Sequence, residues 1–394
     1  MANRVVPDWL SRRRLVDGDA VALVAGGRVW TWRDLDRQVG VVAAALVQRG
    51  IVAGDRVALL AGNSAAFVVA VHAVMRLGAA LVPLNTRLTA AELAWQIADG
   101  GPTLVLHDAE RADLADSAAG AVPCRDLTSL DDDSGGRVAG PATLDLDAVQ
   151  AIVYTSGTSG RPKGALLAAS SWWSGACASA LQLGHVPTDR WLVALPLFHV
   201  GGLAILFRSA SAGVPVVIHE RFDPERMRRA FANDGITLVS LVPAMLPPLL
   251  DAGAGEPFPA SLRVALLGGS GAAPALVERA LDLGLPAAPT YGLTEAASQV
   301  TTLRPADARA HPGSSGQPLP ATEVRIERDG RPLTSGEIGE IAIRGQTLFR
   351  GYLHQSSPSV DADGWFRTGD LGRLDQDGHL FVLDRRDDLI VSGG

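Results

Sequence analysis

Short apolar runs alternate with helical segments from Arg56 onward, and this alternation restricts the fold more than any other feature. The strand-like runs are residues 57–60, 80–82 and 103–106. A helix beginning at Asn63 or Ser64 separates the first two runs, and a second helix begins at a capping box formed by Thr89 and Glu92. Strands joined by helices in this way predict βαβ units and therefore a parallel sheet.

The rest of the chain predicts a second α/β layer and then a β subdomain. Strand-like runs followed by helical or turn residues occur at 191–195, 214–218, 238–242 and 264–267. Beyond about residue 321, strands alternate with turn residues at 323–327, 340–343 and 374–383, which favours antiparallel pairing. We therefore predict an α/β fold with parallel-type subdomains at 1–150 and 151–320 and a smaller antiparallel β subdomain at 321–384. Residues 126–142 are expected to form a surface connection.

Composition excludes several classes of protein. The 394 residues are 47% hydrophobic and 20% charged, which is typical of a compact α/β enzyme. A formal net charge of -7, without a basic stripe, makes nucleic acid an improbable partner. The two cysteines, Cys124 and Cys177, have no partners at metal-ligand spacing. No apolar run approaches the roughly 20 residues of a membrane span, so a cytoplasmic location is predicted.

The stretch from 154 to 164 combines glycines and hydroxyls with Lys163, directly after a mostly apolar run. Glycines let backbone N–H groups face an anion, hydroxyls add donors, and the lysine adds a positive charge, so we predict a phosphate-binding loop between a buried strand and a helical segment. Arg161 and Pro162 separate Gly160 from the lysine, unlike the Walker spacing of a conventional phosphoryl transferase. That transferase and an ordinary surface loop remain the alternatives at this point.

Further motifs make the chain resemble the acyl-adenylate-forming superfamily, which contains acyl-CoA ligases, peptide-synthetase adenylation domains and luciferases. The motifs stand in order at residues 155–164, 195–199, 268–271, 291–295, 368–370 and 384–388. The resemblance covers nearly the whole chain and implies the large N-terminal domain of these enzymes. It also implies their reaction, in which a carboxylate attacks the α-phosphate of ATP to give acyl-AMP and a thiol, here that of coenzyme A, then displaces AMP.

The resemblance implies roles for residues in each motif. ATP binding is expected of Thr155, Ser156, Gly157, Thr158, Ser159, Gly160, Lys163, Gly269, Ser270, Tyr291, Gly292, Thr294, Asp370 and Arg385. Catalysis is expected of His199, Thr294 and Glu295, with Glu295 holding Mg²⁺, since this cation takes one or two carboxylates beside phosphate oxygens. Asp370 should accept the ribose hydroxyls and Tyr291 should stack on adenine. Taken alone, Glu295 could be a solvated turn acid, and Tyr291 and His199 could be core residues.

The acyl group is indicated by phrases at 83–88, 92–96 and 294–303, which most resemble the o-succinylbenzoate-CoA ligases of menaquinone synthesis. That substrate has a second carboxylate, which needs a cation or strong donors in the pocket. Arg208 is the candidate cation, in an apolar stretch after His199, although it could instead reach solvent from a helix end. Gly268 and Ser298 complete the predicted substrate-binding set, and Gln299 could add a donor. Fatty acyl-CoA and benzoate- or coumarate-CoA ligases stay open as alternatives.

The resemblance also implies a segment beyond this chain. Family members continue with a small C-terminal domain that carries a catalytic lysine, and Asp387 matches the hinge before it, within residues 385–394. We therefore expect this chain to bind ATP and the acid but to adenylate poorly on its own. A natural nucleotide-binding module without turnover is the alternative of another class. Relatives of this type are often dimers or tetramers, which predicts a homo-oligomer.

Overall fold

The computed structural model describes residues 4–130, 143–155 and 161–385, and of Asp384 and Arg385 it describes the backbone alone. The helices are α1 (Trp9–Asp17), α2 (Trp32–Gln48), α3 (Ala65–Arg76), α4 (Ala90–Gly100), α5 (Ala112–Ala119), α6 (Ala169–Leu183), α7 (Val200–Ala212), α8 (Pro224–Asn233), α9 (Leu246–Asp251) and α10 (Pro274–Asp282). Local rules place their starts: Ser64 accepts from the Phe67 N–H at the head of α3, and the capping box of Thr89 and Glu92 opens α4, as predicted.

Strands account for most of the remaining elements. They are β1 (Val5–Pro7), β2 (Val21–Ala25), β3 (Arg28–Thr31), β4 (Arg56–Leu60), β5 (Ala80–Pro83), β6 (Leu104–His107), β7 (Cys124–Asp126), β8 (Thr143–Asp145), β9 (Val149–Thr155), β10 (Lys163–Ala168), β11 (Trp191–Val193), β12 (Val216–Ile218), β13 (Leu238–Leu241), β14 (Val264–Leu267), β15 (Ala287–Leu293), β16 (Ser298–Thr302), β17 (Gln317–Pro318), β18 (Thr322–Arg328), β19 (Arg331–Pro332), β20 (Gly339–Gly345), β21 (Phe366–Leu374) and β22 (Leu380–Arg385).

Two large sheets are parallel in their centres, which confirms the α/β prediction. The first has the order β10-β9-β5-β4-β6-β7 and the second the order β17-β16-β15-β14-β13-β11-β12-β2-β3. Antiparallel pairing is confined to the edges of both, at β9–β10, β15–β16, β16–β17 and β2–β3. A third sheet, β19-β18-β20-β21-β22, is antiparallel throughout and is the predicted β subdomain.

One expectation about the phosphate loop is wrong. We expected a helical segment after it, but Lys163 begins strand β10, which pairs antiparallel with β9, and helix α6 starts only at Ala169. The short apolar run at 163–168 carries no periodicity that separates a strand from a helix. The loop therefore connects the two strands of a hairpin.

The sheets combine segments from both predicted α/β subdomains. Strands β2 and β3 form the far edge of the second sheet, while β9 and β10 complete the first sheet. Helices α2, α3, α6 and α7 contribute to a core shared by the two sheets, and separate clusters cover the outer faces with α4 and α5 or with α8, α9 and α10. The division at residues 150 and 320 stays a prediction. No helix in the described part of the chain is both long enough and apolar enough to cross a bilayer.

A network of buried charged side chains joins the first three helices. The Arg76 guanidinium lies 2.6 Å from Asp36 Oδ1 and 3.3 Å from Asp8 Oδ1, and all three side chains are at most 7% exposed. Arg14 approaches Asp36 from the surface at 3.0 Å. Because buried carboxylates are tolerated only when paired, this network ties α1, α2 and α3 together.

His72, one turn before Arg76 on α3, predicts acid sensitivity. Burial is the main cause that lowers the pKa of His72 to about 4, from an ordinary value of 6.5. Between pH 6.5 and 4 the unfolded chain binds a proton at His72 that the folded chain does not. As the pH falls through this range, His72 should therefore lower the free energy of unfolding by about 1.4 kcal/mol per pH unit. Urea unfolding at pH 7, 5.5 and 4.5 measures this slope, which should be smaller in His72→Gln.

His354 provides the control for that experiment because its side chain is 63% exposed. His354→Gln should leave the slope of unfolding free energy against pH unchanged. An equal slope in His72→Gln and the unmodified chain would contradict the assignment of the acid sensitivity to His72.

Candidate active site

The strands of the phosphate-loop hairpin bring Thr155 and Lys163 directly opposite each other. Ser156, Gly157, Thr158, Ser159 and Gly160 lie outside the described residues. Lys163 is exposed at the mouth of the hairpin, and Leu353 donates its N–H to the Gly164 carbonyl at 2.8 Å. A Cβ on Gly164 would lie 2.9 Å from the Ile152 side chain, so close packing requires glycine there.

A tight turn between β15 and β16 carries the second cluster. A Cβ on Gly292 would lie 1.9 Å from the Ser298 carbonyl oxygen, so the backbones approach where only glycine fits. Thr294 and Glu295 lie in a short 3₁₀ turn, which ends at Ala297 with φ of 52°, and Ser298 follows with φ of 104°. Left-handed backbone at residues other than glycine is strained and concentrates at functional sites.

Glu295, the predicted magnesium ligand, is buried in this turn and is only 8% exposed. Its Oε1 accepts a hydrogen bond from the Tyr352 hydroxyl at 2.6 Å. The Nζ atom of Lys163 lies 5.3 Å from the centroid of the same tyrosine ring. The structure thus brings the hairpin lysine and the buried carboxylate to one tyrosine, which no sequence motif had singled out.

Asp370, the predicted ribose ligand, lies in β21 of the third sheet, and Tyr291 lies in β15 of the second. The Tyr291 hydroxyl donates to Asp370 Oδ2 at 2.6 Å. Burial, and then the Asp370 charge, raises the pKa of Tyr291 well above its ordinary value, so the phenol stays protonated and keeps its donor role. Arg385 faces Asp370 across the β21–β22 pairing, and its side chain lies outside the described atoms.

A cavity of about 450 Å³ opens beside these residues, between the 268–271 glycine motif and the loop before β17. Its lining includes Ser270, Thr290, Ser315 and Val382. Gly269 has φ of 88°, and a Cβ on Gly268 would meet Thr290 Cγ2 at 2.8 Å, so both glycines are required by the backbone path. The sequence motifs predicted the glycine wall, whereas Ser315 and Val382 come from segments without a local signal.

His199 is the N-cap residue of α7 and is exposed. Desolvation and then the charge of Arg87 lower the pKa of His199, which favours the neutral imidazole. Asn63 holds the preceding motif: its side chain donates to the Leu195 and His219 carbonyls at 2.9 and 3.2 Å and accepts from the Leu197 N–H at 2.9 Å. Asn63 is thus a positioning residue for the His199 motif that sequence reasoning missed.

Arg208 lies nine residues further along α7, about 13 Å of helix rise from His199. The residue is 3% exposed, and its Nε and Nη2 have no hydrogen-bond partner among the described residues. Its guanidinium carbon lies 5.7 Å from the centroid of the Trp191 ring, and Trp191 Nε1 donates to Ser240 Oγ at 3.2 Å. The alternative that Arg208 reaches solvent from a helix end is therefore wrong.

The surroundings of Arg208 contain little other charge to balance it. Burial lowers the pKa of Arg208 to about 9, so the guanidinium still carries its proton at neutral pH. The His185 imidazole also lies near the Trp191 ring, with the two ring centroids 5.8 Å apart in an edge-to-face arrangement. Burial is also the main cause that lowers the pKa of His185 to about 4, so His185 is neutral there. A buried cation without an acceptor indicates a place for an anionic ligand group.

Ser298 and Gln299, the other polar residues predicted near the acid, lie on β16. Ser298 is partly exposed at the strained start of the strand. Gln299 is buried, donates from Nε2 to Thr302 Oγ1 at 2.8 Å, and has no partner for its Oε1 among the described residues. Gln299 therefore offers an acceptor at this position, rather than the donor that we expected.

The residues present fit a magnesium site of the type that depends on a nucleotide. No group of three or more His, Cys, Asp or Glu side chains converges on one point within the described ranges. Magnesium that keeps several waters and binds phosphate oxygens needs only one or two protein carboxylates. The buried Glu295, with one oxygen anchored by Tyr352, meets that requirement beside Lys163.

Comparison with known proteins agrees with this geometry. Residues 11–353 match the family described as AMP-binding enzyme. The chain is 40% identical over 392 residues to a 2-succinylbenzoate–CoA ligase of Bacillus licheniformis, covering 98% of this chain and 81% of that protein. It thus spans about four fifths of the length of that relative.

Solved structures give the same result. An o-succinylbenzoate CoA synthetase from Bacillus subtilis, in complex with the acyl-adenylate intermediate OSB-AMP, matches with a TM-score of 0.94 and 37% identity, over 99% of this chain and 80% of that one. The same enzyme with ATP and a magnesium ion matches with a TM-score of 0.93 and 37% identity, over 99% and 82%. The predicted fold and superfamily are confirmed, and the chain belongs to the AMP-binding enzyme family.

Proposed function

We propose that this chain binds ATP and the acid in an ATP-dependent ligase that converts 2-succinylbenzoate to its CoA thioester through an acyl-AMP intermediate, a step of menaquinone biosynthesis. The similarity to 2-succinylbenzoate–CoA ligases and to the OSB-AMP complex supports this reaction and its use of ATP, Mg²⁺ and coenzyme A. One observation on this chain itself carries the choice of acid, namely the buried Arg208 guanidinium, whose Nε and Nη2 have no hydrogen-bond partner among the described residues.

The first half-reaction brings an anionic carboxylate to a triphosphate, so the site must first neutralise charge. We assign Lys163 and the hairpin backbone to the phosphates, and Thr294 to the α-phosphate. Magnesium, when bound with ATP, reduces the repulsion between the two anions, and Glu295 would hold it. Asp370 accepts from the ribose hydroxyls while the Tyr291 hydroxyl fixes the orientation of its carboxylate.

The acyl pocket is assigned to the space between the head of α7 and the turn at Ser298. His199, at the head of the helix, orients the carboxylate that reacts. We assign Arg208 to the second carboxylate of the acid, which 2-succinylbenzoate carries on the ring carbon next to its succinyl arm.

The second carboxylate of the acid, which does not react, should make the diacid analogue bind more tightly than an analogue without it. A non-hydrolysable o-succinylbenzoyl-AMP analogue should bind at least about tenfold more tightly than the benzoyl analogue, since a charge-assisted contact contributes roughly 1.4 kcal/mol or more. Arg208→Met should remove that preference and leave benzoyl-AMP binding unchanged. Isothermal titration calorimetry of each analogue against both proteins measures the two ratios.

Arg208→Met also provides its own folding control. Replacing an unpaired buried charge with an apolar side chain of similar length should keep or raise the melting temperature of the ligand-free protein. Loss of the preference together with a lower melting temperature would indicate general disruption. Equal or tighter binding of a benzoyl or medium-chain fatty acyl analogue by the unmodified chain would refute the diacid assignment and leave a ligase for another acid.

The alternative functions predict different surroundings for Arg208 and different products from ATP. A fatty acyl pocket would bury an apolar chain against this cation, which is unfavourable without a partner. A nucleotide-binding module without turnover, or a phosphoryl transferase, would not release AMP in a CoA-dependent reaction. We keep the hinge at Asp387 and the homo-oligomer as proposals. Light scattering of the purified chain measures its oligomeric state.

A further inference from the structure

Tyr352 contacts both charged residues that the proposed phosphate site uses. Its hydroxyl donates to Glu295 Oε1 at 2.6 Å, and its ring centroid lies 5.3 Å from Lys163 Nζ. The tyrosine belongs to neither motif, since it lies 57 residues after the glutamate along the chain. Its position between the two charges is therefore a product of tertiary packing.

The backbone around Tyr352 fixes that position from two sides. Leu353 donates its N–H to the Gly164 carbonyl at 2.8 Å, and Leu166 donates to the Gly351 carbonyl at 3.0 Å, so the segment lies along β10. Phe349 donates its N–H to the Glu295 carbonyl at 2.8 Å. Residues 349–353 thus join the exit of the phosphate loop to the turn that carries the buried carboxylate.

We propose that Tyr352 is a positioning residue with two separable contributions. Its hydroxyl occupies Oε1 of Glu295 and orients Oε2 toward the cation that accompanies ATP. Its ring holds the Lys163 ammonium toward the phosphates through a cation–π contact. Groups that hydrogen-bond to a metal-binding carboxylate fix its orientation before the metal arrives. This inference rests on the proposed function, in which Glu295 binds magnesium and Lys163 binds phosphate.

The hydroxyl is tested by Tyr352→Phe, which keeps the ring. Affinity for a non-hydrolysable ATP analogue is measured by calorimetry with excess EDTA and again with saturating Mg²⁺. The ratio of the two affinities in the unmodified chain defines the gain due to magnesium. Tyr352→Phe should reduce that gain about tenfold and change the affinity in EDTA by less than about twofold.

The ring is tested by Tyr352→Leu, which removes both contributions. This variant should show the same loss of the magnesium gain as Tyr352→Phe. It should also bind the ATP analogue roughly threefold more weakly in EDTA, because Lys163 loses its cation–π contact. Equal affinities of the Phe and Leu variants in EDTA would overturn the role of the ring.

A matched control removes a similar bond elsewhere. The Thr237 hydroxyl donates to the buried Asp189 carboxylate at 2.8 Å, and Thr237→Val deletes that bond outside the residues assigned to the site. Thr237→Val should leave the magnesium gain unchanged, even if its melting temperature falls. A loss of the gain in this control would show that the measurement reports general destabilisation, and would overturn the positioning role.

Glu295→Gln separates failure of this inference from failure of the proposed function. If Glu295→Gln retains the full magnesium gain, the carboxylate is not the metal ligand and the proposed function of Glu295 fails, together with the role of the hydroxyl. If Glu295→Gln loses the gain and Tyr352→Phe retains it, the metal assignment stands and only the positioning role fails. The inference requires that Tyr352→Phe add no further loss in the Glu295→Gln background.

Discussion

Replacing Gly292 with alanine should weaken binding of an acyl-AMP analogue by about 100-fold, equivalent to roughly 3 kcal/mol. The added Cβ would lie 1.9 Å from the Ser298 carbonyl oxygen and 2.7 Å from its carbon, and neither backbone atom can move without opening the turn. That turn positions Thr294 and Glu295, so its displacement removes two predicted ligand contacts together. Calorimetric titration of the o-succinylbenzoyl-AMP analogue measures the loss.

Gly175→Ala is the matched control for this substitution. Gly175 lies inside α6, and a Cβ there would contact the Ala297 carbonyl oxygen of the same turn at an ordinary 3.8 Å. Alanine is favoured over glycine within a helix by roughly 1 kcal/mol, so the variant should be as stable as the unmodified chain or more stable. Gly292→Ala binding the analogue as tightly as Gly175→Ala would show that the turn does not position the ligand.

Replacing Arg76 with alanine should lower the free energy of unfolding by about 3–5 kcal/mol, the typical cost of leaving buried charges without their partner. The Arg76 side chain is 3% exposed, and Asp8 and Asp36 beside it are 7% and 2% exposed. Arg14 would still contact Asp36, whereas Asp8 would lose its only ion pair in the described part of the chain. Urea unfolding at pH 7 measures the change.

The surface pair of Arg344 and Glu323 gives the comparison that isolates burial. Its nitrogen and oxygen lie 2.6 Å apart, as in the buried pair of Arg76 and Asp36, but its side chains are 40% and 60% exposed. Arg344→Ala should cost less than about 1 kcal/mol because water screens exposed pairs. Similar losses in the two variants would contradict the argument that burial makes the Arg76 network important.

Local signals predicted the elements that depend on a few neighbouring residues. Ser64 and the pair Thr89 and Glu92 placed two helix starts, because an N-cap bond forms within three residues of chain. The strand after the phosphate loop was not predicted, since the apolar run that begins at Lys163 is too short to distinguish a strand from a helix. Its antiparallel pairing with β9 decided the matter.

In the candidate site, motifs likewise predicted the residues, whereas tertiary structure determined their partners. Motif order predicted Lys163, Glu295 and Asp370 as phosphate, metal and ribose residues, and the structure adds a specific partner for two of them. Tyr352 reaches Glu295 across 57 residues of chain and Tyr291 reaches Asp370 across 79, separations at which no local pattern carries information. The apolar context of Arg208 indicated burial, but only packing determined that its Nε and Nη2 have no acceptor in the part of the chain that the structure describes.

The sequence by itself determined the α/β class and the superfamily, and it predicted which charged groups serve ATP and a diacid. These depend on residue type, short-range periodicity and motif order, which are properties of the chain before it folds. Tertiary structure alone decided which hydroxyl holds each carboxylate, where glycine is sterically required, and which buried charges are paired. Those properties depend on contacts between residues far apart in the chain, and folding creates these contacts only when it closes the loops between them.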